Sequence, residues 1–132
     1  MIICQVRVGY STSPQASAIQ WLPPSQTHSG KRPYLFTQCQ AIHARSLLPC
    51  QDCPAIKITY NAKVTVPSWA TCLMSALASE DTGAGAGAVA GGGGEGSQTT
   101  RSFCWKQPMP IPSYLIAIAV GDLESREISP RS

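Results

Sequence analysis

The stretch AIKITYNAKVTVP, Ala55 to Pro67, decides the fold class. Ile56, Ile58, Tyr60, Ala62, Val64 and Val66 share one side of it, while Lys57, Thr59, Asn61, Lys63 and Thr65 take the other. Side chains alternate across an extended chain but return to one helix face every third or fourth residue. The alternation therefore predicts a half-buried antiparallel strand. Pro54 and Pro67 bracket it, which suits a residue with no N–H to donate into a ladder.

Period two continues on both sides. Upstream, CQVRVGY (4–10) places Cys4, Val6, Val8 and Tyr10 on one face, and PYLFTQCQ (33–40) reads as another strand. The first of these starts with no cap or lead-in, a hint that further strands precede it. Between them, residues 11–33 are rich in Ser, Pro and Gln and read as a loop anchored at Ile19, Trp21 and Leu22. Downstream, SWATCLMSALA (68–78) is expected as strand or turn and SFCWKQ (102–107) as a short strand. The continuous apolar run YLIAIAVG (114–121) fits a strand at a sheet centre. Pro108, Pro110 and Pro112 alternate before it, so that segment is extended and not helical. No amphipathic helix of ten residues is found, and the chain is expected to be all-β.

Composition narrows the function. With 132 residues the chain is one domain at most; it is 43% apolar and 13% charged, ordinary for a globular protein. A net charge of +3 with scattered basic residues gives no stripe for nucleic acid. No apolar run approaches the ~18–20 residues of a membrane span, and no secretory leader is recognisable. The six cysteines then read as reduced thiols of a cytoplasmic protein. Eight of the eleven glycines lie between Gly83 and Gly96. Residues 80–100 are therefore expected to be a disordered, low-complexity Gly/Ala-rich loop insertion, because glycine brings no side chain to bury and loses the most freedom on ordering.

Few residues offer chemistry. Cys50-Gln51-Asp52-Cys53 is a C-x-x-C, but no second pair completes a structural zinc site, and Pro54 with a following strand leaves no helix to activate a thiol. His43 could act as a base, yet no nucleophile motif accompanies it. The glycine tract lacks the G-K-[ST] ending of a phosphate loop. Gln38 and Gln40 remain: two primary amides at i and i+2, expected on one side of a strand that breaks into a loop. They suit a polar, unreactive part of a ligand such as a terminal amine or a peptide carbonyl.

At this point several blocks in order carry a resemblance: TSPQASAIQWL, KRPYLFTQCQ, QCQAIHAR, LLPCQDCPAIKITYNAKVTVP, CLMSALAS and PMPIPSYLIAIAVGDLESREISPR. Together they resemble the N-terminal domain of the leukotriene A-4 hydrolase and aminopeptidase B group of the M1 zinc metallopeptidases. The resemblance implies a saddle-like antiparallel β domain that roofs one side of a catalytic zinc cleft. It implies zinc as cofactor of the complete enzyme and a peptide as substrate, with epoxide hydrolysis on a lipid as a further activity. Gln38, Cys39, Gln40 and Ala41 match the segment that reaches into the substrate cleft, where the second glutamine helps bind the substrate's amino-terminal end. Arg45, Pro49, Cys50, Asp52 and Pro54 match the adjoining turn. There Asp52 and Arg45 are expected to hold the loop, and Asp52, if buried, to be paired. The family's H-E-x-x-H and G-x-M-E-N motifs are not found in residues 1–132. Residues 1–132 are therefore expected to be an incomplete N-terminal β domain that alone binds no metal and catalyses nothing. The alternative is a standalone, non-catalytic β-rich binding or scaffold module.

Overall fold

Alternation forms a strand only where a neighbouring edge takes up its hydrogen bonds, and the strand from Lys57 finds such an edge. The computed structural model describes residues 4–79, 88–90 and 99–129. Strand β3 (Lys57–Pro67) pairs antiparallel with β7 (Thr100–Pro112), Ala62 lying opposite Trp105 and Val66 opposite Arg101. Its odd-numbered residues from Lys57 to Thr65 are exposed, and Ile58, Tyr60, Ala62, Val64 and Val66 are half-buried or buried. The register slips between Ile58 and Tyr60, a bulge that accommodates Pro108 and Pro110 of β7, which have no N–H to offer. The expected short strand at 102–107 is thus part of a 13-residue one.

Two antiparallel sheets result. One has the order β1-β2-β8-β4, from β1 (Ile19–Leu22), β2 (Tyr34–Thr37), β8 (Ile118–Gly121) and β4 (Thr71–Met74). The other has the order β3-β7-β5, with β5 (Leu77–Ala78) and β6 (Ala88–Ala90) both pairing with β7. Among the described residues the only helical elements are short 3-10 turns at Pro24–Gln26, Ala44–Ser46 and Ser113–Leu115.

The segment expected as strand or turn at 68–78 is two strands, one in each sheet, with Ser75 at the corner. Ser75 is tied from three sides. Its carbonyl accepts from Tyr60 Oη (3.0 Å) and Gln107 Nε2 (3.2 Å), and its Oγ accepts the Ala117 N–H (2.9 Å). Arg101 adds a second tie: Nε donates to the Ala70 carbonyl and Nη2 to Thr71 Oγ1, each at 2.8 Å. Apolar side chains of both sheets meet here. Val66, Ala70 and Cys72 are buried, with Val64, Trp69, Met74, Phe103, Ile118 and Val120 packed on them. A second, smaller cluster joins Ala18, Cys39 and Ala44 to Leu47, Cys50 and Tyr114.

Several expectations need correction. Residues 4–10 form no strand, and Val6, Val8 and Tyr10 are exposed. No strand among the described residues runs alongside them, so their alternation has no ladder to join. Ile19–Leu22, expected only as an anchor within a loop, pairs with β2 in full register, Ile19 opposite Thr37 and Leu22 opposite Tyr34. In YLIAIAVG only the last four residues are strand, because the 3-10 turn after Pro112 takes up the first two. Those four do occupy an interior position, between β2 and β4. Of the glycine-rich segment, residues 80–87 and 91–98 lie outside the described residues. Within it Ala88–Ala90 pairs with Ser102, Arg101 and Thr100.

Candidate functional site

Strand β2 delivers the chain to the site and then ends. Thr37 closes it: its Oγ1 accepts the Ile118 N–H at 2.9 Å. The next backbone N–H, of Gln38, donates to the Ala18 carbonyl at 2.8 Å. Cys39 then turns inward and is 1% exposed, packed in the smaller cluster against Ala18 and Ala44. Because Cys39 points in, its neighbours point out, and Gln38, Gln40 and Ala41 are all exposed. The two glutamines leave the strand as a pair flanking a buried peg, not as two positions on one strand face.

Their amides are not equivalent. Gln38 Oε1 accepts the backbone N–H of Gln40 at 3.0 Å, which fixes the turn and aims the Gln38 amide nitrogen away from the backbone. No hydrogen bond to the Gln40 side chain is found among the described residues, so its carbonyl oxygen and both N–H groups face solvent. The peptide bond between Gln40 and Ala41 is cis.

The segment beyond is held at several points. The His43 N–H donates to the Cys39 carbonyl (2.9 Å), and the 3-10 turn Ala44–Ser46 follows. Ser46 Oγ accepts from the Ala18 N–H at 2.9 Å and donates to the His43 carbonyl at 2.8 Å. His43 Nδ1 lies 2.7 Å from Ser17 Oγ, so this histidine belongs to the surface scaffold of the loop. No carboxylate is found against it among the described residues.

Asp52 closes the loop as expected. Its side chain is only 2% exposed. Oδ2 accepts from the Arg45 backbone N–H (2.9 Å) and from Arg45 Nε (3.1 Å), while Oδ1 accepts from Ser113 Oγ at 2.7 Å. Arg45 Nη2 also reaches the Asp52 carbonyl at 3.0 Å. Burial alone would raise the Asp52 pKa. The Ser113 hydroxyl, the Arg45 N–H and the guanidinium together outweigh it, so the carboxyl sits below its ordinary value. Ser113, the partner that joins this loop to the β7–β8 connection, was not foreseen. Its one signal is a small polar residue among apolar ones in IPSYLIAIAV, and it is 2% exposed.

The C-x-x-C does not behave as a reactive pair. All six cysteines are free. Burial raises the Cys50 and Cys39 thiols, with the Asp52 carboxylate pushing the same way, the opposite of what an activated thiolate needs. Among the described residues no three His, Cys, Asp or Glu side chains converge as a metal site. A surface groove of about 410 Å3 lies elsewhere, between the β1–β2 connection and residues 122–124, with Arg32, His28, Asp122 and Glu124 among its lining. It does not include the glutamines. What the glutamine segment can do chemically is bind: it presents amide donors and one free amide oxygen on a scaffold fixed at both ends.

Similarity to known proteins extends over nearly the whole chain. A family model described as the Peptidase M1 N-terminal domain matches residues 4–115. A leukotriene A-4 hydrolase from Xenopus laevis is 46% identical over 127 residues, covering 96% of this chain and 19% of the relative. A leucine aminopeptidase 2 from Yarrowia lipolytica is 42% identical over 131 residues, covering 97% and 17%. Among solved structures, native leukotriene A4 hydrolase from Saccharomyces cerevisiae superposes with a TM-score of 0.68 at 40% identity, covering 91% of this chain and 16% of that one. The chain therefore spans less than a fifth of the length of the relatives it matches.

Proposed function

The chain belongs to the peptidase M1 N-terminal domain family, and from that premise we propose that it forms one wall of the substrate cleft of a zinc aminopeptidase. The substrate is a peptide, held by its amino-terminal end at Gln40. A lipid epoxide is the further substrate that the likeness to leukotriene A-4 hydrolase brings with it. In this reading zinc and the groups that cleave the bond lie outside these 132 residues, and the chain's own contribution is to bind and orient.

One observation carries the proposal: the Gln40 amide is exposed and unengaged, while the backbone on both sides of it is pinned. A carbonyl oxygen held out to solvent can accept from a substrate ammonium, and the amide N–H groups can donate to a peptide carbonyl. A neutral amide suits this role, since it takes no proton from the ammonium and stays uncharged at any working pH. Gln38, its oxygen committed to the Gln40 N–H, positions Gln40 and has its amide nitrogen left for the ligand. Cys39 is the peg that faces the pair outward, and Ala41 continues the exposed surface. A cytoplasmic location is supported by six cysteines that form no disulfide with one another. No described helix is long and apolar enough to cross a membrane.

The test is an exchange. The matching 127-residue region of the Xenopus laevis leukotriene A-4 hydrolase is replaced by this chain, and release of the amino-terminal residue from a tripeptide is measured. Turnover is expected. A folded hybrid that retains zinc yet turns over no tripeptide contradicts the proposal. Independently, the genomic sequence downstream of the Ser132 codon is expected to contain an in-frame H-E-x-x-H.

A further inference from the structure

Strand β3 ends its sheet: β7 pairs with one side of it, and no strand among the described residues pairs with the other. Eleven residues of backbone thus present an open row of N–H and C=O groups, about 34 Å long at ~3.4 Å per residue. An edge of that length, with a half-buried apolar row reaching it, is a template for another strand. We propose that this edge pairs with β3 of a second copy of the chain, antiparallel, about a two-fold axis through Ala62.

The sequence of the edge selects both the partner and the register. Residues opposite one another in an antiparallel pair share a sheet face, so a two-fold between identical strands must pass through a residue. Centring on Lys63 would oppose that lysine to its own copy, and centring on Tyr60 would oppose Lys57 to Lys63 twice. Centring on Asn61 leaves Val66 and Pro67 without a partner. The Ala62 register pairs the whole strand. On the exposed face it opposes Thr59 to Thr65 and Asn61 to Lys63; on the apolar face, Ile58 to Val66 and Tyr60 to Val64. These are hydroxyl–hydroxyl, amide–ammonium, aliphatic and aromatic–β-branched pairs, each of a favourable kind. The two lysines, which guard an edge against indiscriminate pairing, exclude the Tyr60 and Lys63 registers, and of the two that remain the Ala62 register pairs the longer stretch. Pairing consumes the edge on both copies, so the product is a closed dimer. The inference is independent of the glutamine site.

Sedimentation velocity of the full 132-residue chain over a range of concentrations tests it, with circular dichroism confirming the sheet in every variant. A concentration-dependent monomer–dimer equilibrium is expected. Asn61→Glu sets a carboxylate opposite Lys63 at two symmetric positions and should tighten dimerisation about tenfold, whereas Asn61→Lys should weaken it about tenfold. The double variant Asn61→Lys with Lys63→Glu restores opposite charges across the interface and should recover the dimerisation lost in Asn61→Lys, staying weaker than Asn61→Glu because Lys106 lies opposite residue 61 within each copy. The proposal is overturned by a chain that stays monomeric, by a Kd indifferent to these charges, or by open-ended growth without a dimer plateau.

Discussion

Removing the Asp52 carboxylate probes the loop that carries the glutamines. Asp52→Ala leaves the Ser113 hydroxyl, in a residue 2% exposed, with no acceptor. An unsatisfied buried hydroxyl costs about 1–3 kcal/mol. The Arg45 backbone N–H also loses its acceptor, for a further ~1 kcal/mol. The guanidinium adds little, because the Arg45 side chain is 60% exposed and water replaces the carboxylate around it. The sum is about 2–4 kcal/mol, at or just below the ~3–5 kcal/mol seen when a fully buried ion pair loses one partner. Asp52→Asn should cost less, about 1–2 kcal/mol, since its oxygen can still face Arg45 while Ser113 rotates to accept from the amide. Urea titration reads both: with a slope near ~1.5 kcal/mol per molar, the midpoint should fall by about 1.3–2.7 M for Ala and by roughly half that for Asn. Equal losses for the two variants, or losses under ~0.5 kcal/mol for both, would refute the clamp.

The same carboxyl sets an acid limit. Its folded pKa lies below the unfolded one, so the stability it contributes is complete above the ordinary carboxylate range and is lost as pH falls through the folded value. Urea midpoints should therefore hold from pH 7 to about 5 and drop below about 4, with a shallower drop in Asp52→Asn. Thiol titration with an aromatic disulfide at neutral pH should find Cys4 and Cys53 fast. Cys39 and Cys72, buried and raised in pKa by that burial, should react only on unfolding. Equal rates for all six would contradict the packing. Gly121→Ala should cost about 1–3 kcal/mol, because an added Cβ would stand 2.7 Å from Tyr34 Cδ2 and that ring is stacked on Phe36; an unchanged urea midpoint would show that the ring moves freely.

Much of the fold was legible because β3 writes its environment in its residues: one face to solvent, one to apolar neighbours. The signal weakens where local pattern and tertiary pairing part company. CQVRVGY has the alternation of a strand but no described partner, whereas IQWL has no clean alternation yet pairs because β2 offers an edge. Proline misled on length: in β7 it is tolerated because a bulge releases the ladder where its N–H is missing. At the site the sequence singled out the two glutamines, and the family resemblance added Cys39 and Ala41. The difference between the two amides rests on one hydrogen bond, from the Gln40 N–H to Gln38 Oε1, that no spacing rule discloses, and the proposed division of labour is built on it. Ser113 lies 61 residues from its partner Asp52, and only the folded chain brings them together.

The central claim is that Gln40 meets the substrate while Gln38 supports it. Steady-state kinetics of the hybrid enzyme on a tripeptide, with Gln40→Leu beside Gln38→Leu, test this most directly. Gln40→Leu should lower kcat/KM about 10- to 150-fold, equivalent to ~1.5–3 kcal/mol for a hydrogen bond to a charged group, with zinc content and stability unchanged. Gln38→Leu should cost less. Full kcat/KM in Gln40→Leu would contradict the account.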